Sequence, residues 1–250
     1  MWDTNKKKKI LVLCGSPKKE ASTTMTVAHA FIDGMQAGGD CDIEYVYISD
    51  LNIKPCLGCL SCWGRTAGEC VIRDDDMLAL REKILEADVI VESYPLYFFG
   101  MPGIMKLFTD RMLGMMCTYI GQESPKNGDS FHRVRFPKTG RRFVVITSCA
   151  FTEADDVYES LLKQYDLICG RDNYTAICCP QLKTLVDLGP GPRLTRYLGK
   201  FIDAGEQFIK NGELSSETLQ RLSKPPFSHE TYKVLLDKFW QEQRGENTND

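Results

Sequence analysis

The chain has 250 residues, 43% of them hydrophobic and 26% charged, with a formal net charge of −3. That balance suits a water-soluble globular protein with a full core, and it lacks the basic footprint of a nucleic-acid binder. No apolar run approaches the ~18 residues of a membrane span, the stretch after Lys6 to Lys9 is too short for a secretory signal, and eleven cysteines without a leader point to a reducing cytoplasm.

In chain order, "KILVLCGS" (9–16) reads as a buried strand feeding a turn. Ser22 or Thr23 is then an N-cap for a helix over 24–36, with Met25, Ala28, Ile32 and Met35 at helical spacing. "CDIEYVYIS" (41–49) alternates as a strand does. Asp74 to Asp76 open a helix over 74–87 as a solvated, acidic first turn. A strand over 88–95, a helix over 103–116, a strand over 142–149, a helix around 153–167 and a strand over 174–180 follow. "GPGPR" (189–193) reads as a turn whose prolines block the start of a helix. Leu194, Tyr197, Leu198, Phe201 and Ile202 then make a helical stripe. Five strands alternating with helices predict an α/β fold, a parallel sheet covered on both faces. Residues 117–141 are polar and rich in turn formers, an insertion or lid. Residues 211–250 form a helical tail. Its apolar stripe (Tyr232, Leu235, Leu236, Phe239, Trp240) must pack on its own domain or on a second subunit.

Ligands of open parallel sheets bind beyond the carboxyl ends of the strands. The first such end, "GSPKKEASTT" (15–24), offers lysines, hydroxyls and a helix N-terminus, which together suit an anion. It is neither a P-loop nor a GxGxxG fingerprint. The third strand ends in "SYPLYFFGMPGIMK" (93–106), whose aromatics suit the faces of a flat cofactor. An anion loop beside an aromatic loop at the switch between first and third strands describes a flavin mononucleotide pocket. The three histidines lie far apart in sequence, and no GxSxG elbow or HExxH pair occurs. Cys56, Cys59, Cys62 and Cys70 share one short loop, in a spacing open to a [4Fe–4S] cluster, to an unmetallated thiol loop that shapes the pocket or a dimer, and to zinc.

"KILVLCGSPKKEASTT", "CLGCLSCW…GECVIRDDDM" and "ADVIVESYPLYFFGMPGIMKLFTDR" resemble the NAD(P)H-dependent FMN reductases of the flavodoxin-like fold, especially their iron-sulfur flavoprotein branch. The resemblance implies a five-stranded sheet of order 2-1-3-4-5 in a domain over 1–210, followed by the extension over 211–250. It implies that Ser16, Lys18, Ser22 and Thr23 hold the FMN phosphate. Pro95, Leu96, Tyr97 and Phe98 would line the ring, with Ser148 and Cys149 nearby. Ser22 stands where the family often has Asn. Electrons would pass from NAD(P)H through FMN to a small quinone, flavin or azo acceptor, in a homodimer. The alternative is a non-catalytic carrier that shuttles single electrons between protein partners.

Overall fold

The computed structural model describes residues 2–4, 6–118, 132–152 and 156–245. Strands β1 (Lys8–Cys14), β2 (Cys41–Tyr47), β3 (Val89–Pro95), β4 (Arg142–Ser148) and β5 (Thr175–Cys179) pair in parallel in the order β2-β1-β3-β4-β5. This is the flavodoxin-like order, with its switch point between β1 and β3. The central strands β1, β3 and β4 are apolar runs because helices cover both their faces, whereas β2, at the edge, alternates half-buried and exposed positions over Cys41–Tyr45.

Helices α1 (Thr23–Gly38), α5 (Leu182–Asp187) and α6 (Pro192–Asn211) share one core with the sheet face bearing Val12, Val91 and Ile146. Helices α2 (Met77–Glu86), α3 (Gly103–Arg111) and α4 (Glu159–Cys169) pack on the other face, with Leu13, Tyr94 and Val145. Helices α1 and α6 approach each other closely. A methyl group at Gly34 would overlap the Ile202 carbonyl, and one at Gly205 would overlap that of Phe31. Both glycines are therefore there for backbone approach.

Several predicted boundaries move. The helix expected from about 153 begins at Glu159, because residues 156–158 form a turn, while 153–155 lie outside the described residues. The helix expected over 103–116 stops at Arg111 and tightens into a 3-10 turn over Met112–Met115. The prolines of "GPGPR" do not block a helix. Gly191 is the N-cap of α6 and Pro192 sits in its first turn, where a missing N–H costs nothing. Most of the insertion expected over 117–141 lies outside the described residues; its flanks meet in an antiparallel bridge between Met116 and Val134.

The tail forms α7 (Ser216–Ser223) and α8 (His229–Arg244). Leu222, Phe227 and Tyr232 are buried in the core shared with α1 and α6, and Leu235 and Leu236 pack against it. Val234 and Trp240 remain on the exposed side of α8. Among the described residues no helix is long and apolar enough to cross a membrane.

Candidate functional site

Strands β1 and β3 end side by side, where Gly15 N–H donates to the Ser93 carbonyl at 2.9 Å. Space there is so tight that a Cβ on Gly15 would overlap the Met105 side chain. Beyond it the chain makes a 3-10 turn over Lys19–Ala21 and enters α1 from Ser22. Ser16 and Ser22 are buried, Thr23 is half-buried and Lys18 is exposed. The Ser16 hydroxyl accepts the Lys18 N–H at 3.3 Å, and Lys19 is paired with Asp50. Ser22 has the extended backbone of an N-cap, yet its hydroxyl makes no bond to the helix. The first N–H groups of α1 are thus left without a side-chain cap, and the positive end of the helix faces the hydroxyls and Lys18. Such a cradle takes an anion.

Ser148, at the end of β4, is brought to the same place. Its hydroxyl shares a buried 2.6 Å hydrogen bond with Thr24, one residue inside α1. The sequence reading missed Thr24, although it closes the Ser22-Thr23-Thr24 run. Cys149 is buried, its N–H donates to the Cys179 carbonyl at 3.2 Å, and burial raises its thiol pKa, so it presents no reactive thiolate.

The aromatic loop starts from a fixed point, since Leu96 N–H donates to the Ser148 carbonyl at 2.7 Å. Pro95 is half-buried and Leu96 buried. Tyr97 and Gly100 then exchange backbone hydrogen bonds of 2.9 and 3.0 Å, closing a two-residue turn. Its central residues, Phe98 and Phe99, have φ of 49° and 65°. Asn and Gly usually occupy these left-handed positions, so two phenylalanines there carry strain of the kind that gathers at binding sites. Phe98 is 99% exposed, whereas Phe99 stacks on Phe151 at 5.5 Å and 25°. Ser160 donates to the Phe99 carbonyl. Phe99 belongs to the aromatic loop read from the sequence; Phe151 extends that surface and lies too far along the chain for spacing to reveal it.

The cysteine loop is tied at its neck. Arg111 and Asp75 form an ion pair with no side-chain exposure, and Arg111 also donates to the carbonyls of Lys54 at 2.8 Å and Ile72 at 3.3 Å. Asp75 accepts the N–H groups of Lys54 at 3.0 Å and Met77 at 3.2 Å, and Asp76 accepts that of Asn52 at 2.7 Å. The acidic triplet is therefore not the solvated helix start expected of it: two of its carboxylates bind the two ends of the loop together. Trp63 Nε1 donates to the Leu113 carbonyl at 2.9 Å, docking the loop beside α3. Cys56 and Cys59 are exposed, and Cys62 and Cys70 are half-buried. Burial raises the Cys62 pKa, and the neighbouring Cys70, Cys56 and Cys59 raise it further, so the four thiols share one region. No group of three or more His, Cys, Asp or Glu side chains is arranged to hold a metal ion among the described residues. The ligand set expected at positions 56, 59, 62 and 70 is not preformed.

The segment that carries these loops is similar to known proteins. Residues 8–122 match the family model of the NADPH-dependent FMN reductases. An iron-sulfur flavoprotein of Methanocaldococcus jannaschii is 33% identical over 103 residues, 41% of this chain and 51% of the relative. An FMN-dependent NADH:quinone oxidoreductase of Exiguobacterium is 30% identical over 114 residues, 42% of this chain and 54% of the relative. The chain thus spans about half the length of the curated relatives it matches. In fold it is similar to a crystal structure of an FMN-dependent NADH-azoreductase from Bacillus anthracis in complex with FMN, with 19% identity, a TM-score of 0.54, and coverage of 81% of this chain and 100% of that one. The segment alike to the FMN reductases contains the anion loop, the cysteine loop and the aromatic turn, while β4, β5 and the tail lie beyond it.

Beneath the aromatic turn of this reductase-like segment lies a buried polar chain. Glu92 is buried in β3 and accepts the Tyr165 hydroxyl, which also meets the hydroxyl of Tyr94. Desolvation raises the Glu92 carboxyl from 4.5 to about 7, against the hydrogen bond from Tyr165, which lowers it. The linkage has a definite sign. Below pH 4.5 folded and unfolded chains both hold this proton; between 4.5 and about 7 only the folded chain does, so its contribution to stability falls as pH rises. Glu92→Gln has no proton to lose. By urea unfolding it should match the parent at pH 4 and exceed it at pH 8 by roughly 3 kcal/mol. A difference independent of pH would contradict a protonated Glu92.

Proposed function

We propose that the protein is an FMN-dependent NAD(P)H oxidoreductase that passes two electrons from reduced nicotinamide through FMN to a small acceptor of the quinone, flavin or azo type. The observation that carries this reading is the uncapped start of α1, ringed by Ser16, Ser22 and Thr23, set at the β1/β3 switch point beside a strained aromatic turn. The match to the FMN reductases over the segment bearing both loops supports it.

The residues fit FMN in kind and in number. One short anion loop would take one terminal phosphate, with Ser16, Ser22 and Thr23 offering hydroxyls to it and Lys18 supplying charge. Nothing in the sequence offers a second fingerprint for an adenylate half, which favours FMN over FAD. Pro95, Leu96, Tyr97 and Phe98 would flank the ring, with Ser148 and Cys149 at its edge. Bound FMN supplies the two-electron chemistry; the chain's work is to bind, orient and keep water from it. Thr24 holds Ser148 against α1, and the Leu96–Ser148 bond fixes where the aromatic loop departs. No side-chain catalyst is required. A homodimer in a reducing cytoplasm belongs to this reading: all eleven cysteines are free, and Phe98, Val234 and Trp240 leave apolar surface outside.

A second reading follows from the thiols. The relative named an iron-sulfur flavoprotein and the close sequence spacing of Cys56, Cys59, Cys62 and Cys70 favour a [4Fe–4S] carrier that shuttles single electrons between proteins. In that case metal would have to draw the loop into shape. Anaerobic reconstitution with FMN, iron and sulfide separates the two readings. An oxidoreductase turns over NAD(P)H with a quinone and releases FMN on heating; a carrier holds about four iron atoms per chain and turns over slowly. A colourless protein that takes up no flavin would overturn both.

A further inference from the structure

We propose that the C-terminal segment is part of the site, and that Tyr232 and Gln181 are positioning residues holding the aromatic wall formed by Phe99 and Phe151. That this wall faces the electron acceptor rests on the FMN reading above; that it is held from the tail rests on hydrogen bonds alone.

Both carbonyls flanking Phe151 are held from outside their loop. The Tyr232 hydroxyl donates to the Ala150 carbonyl at 2.8 Å, and Gln181 Nε2 donates to the Thr152 carbonyl at 3.1 Å. Gln181 then accepts the Phe227 N–H at 3.1 Å, so the tail reaches the second carbonyl as well. The Ala150 carbonyl lies in the peptide plane that enters Phe151 and the Thr152 carbonyl in the plane one residue beyond, so the backbone is held on both sides of that ring. The ring so fixed is the one stacked on Phe99, in the turn that already carries two left-handed phenylalanines.

The holders are themselves rigid. Gln181 is fully buried with φ of 58°, a left-handed glutamine that persists only where its surroundings over-determine it. Tyr232 is fully buried and stacks on Phe227 at 6.3 Å and 24°. The Ser228 hydroxyl caps α8 by accepting the Thr231 N–H at 3.3 Å, which sets Tyr232 in the first turn at a fixed height. Leu222 and Phe227 anchor the segment in the core. Anchorage needs only apolar side chains; the hydroxyl and amide that single out Ala150 and Thr152 point to positioning.

The test uses the full chain with Tyr232→Phe and Gln181→Leu, and Lys233→Ala on the exposed side of α8 as control. Tyr232→Phe keeps the ring in the core and removes one donor, so it decides the matter if Gln181→Leu fails to fold. Without FMN, amides 149–152 should exchange with deuterium about fivefold faster in Tyr232→Phe, as expected for one lost hydrogen bond, and at the parental rate in the control. With FMN bound, KM for menadione should rise by a similar factor of about five, while kcat and the FMN dissociation constant hold. Unchanged exchange would overturn the brace. Faster exchange with unchanged KM would overturn the positioning role. A protein that takes up no FMN would sink the functional reading, while the exchange result would still judge the brace.

Discussion

Thr23→Asp should cost the protein its FMN. Thr23 is the first residue of α1, at the uncapped end where the phosphate is proposed to sit. A carboxylate there meets a phosphate of like charge, and two unit charges 4 Å apart repel by about 4 kcal/mol at the effective dielectric of a protein surface. The dissociation constant, followed by quenching of flavin fluorescence, should rise by more than about 100-fold. An acidic residue in a first helical turn favours the helix dipole, so the fold itself should not weaken. Loss of flavin with retained melting temperature is the expected pair of results. Unchanged affinity would place the phosphate elsewhere.

Asp75→Ala should destabilise the fold by about 3–5 kcal/mol, the usual cost of stranding one partner of a buried ion pair. The carboxylate pairs with Arg111, with no side-chain exposure on either partner, and accepts two backbone N–H groups at the neck of the cysteine loop. Burial pushes its pKa up, but Arg111 and those N–H groups outweigh it and hold the carboxyl below its usual 3.8. Its contribution is therefore present above that pH and lost as pH falls. Lys106→Ala, which breaks an exposed pair with Asp110 four residues on, should shift stability by less than about 1 kcal/mol. Comparable costs for the two variants, by urea unfolding at pH 7, would refute the distinction.

Much of the fold was legible because its signals are local. Each central strand is a short apolar run and each helix a periodic stripe, and their alternation implies the parallel sheet. The anion loop was legible for the same reason: Gly15, Ser16, Ser22 and Thr23 are close in sequence and sit between a strand and a helix. What the sequence hid depends on distant pairs. Nothing local tells that Gly34 and Gly205 face each other's helix backbone, that Thr24 bonds Ser148, or that Asp75 meets Arg111. The acidic triplet was misjudged because three aspartates before a helix look alike whether solvated or paired. Phe151 and Gln181 left no pattern, since the one stacks on Phe99 and the other bridges β5, the β4 loop and the tail. Long-range contacts therefore built the parts of the site that the two quoted loops do not contain.

The central claim is that electrons from reduced nicotinamide enter FMN bound at the β1/β3 switch point. It is tested most directly by anaerobic titration of FMN-loaded protein with NADH and with NADPH, followed by the flavin absorbance. One equivalent of the preferred nucleotide should bleach the flavin, menadione should restore its colour, and Thr23→Asp should show neither change because it holds no flavin. Flavin that binds but stays oxidised under excess NADH and NADPH would contradict it.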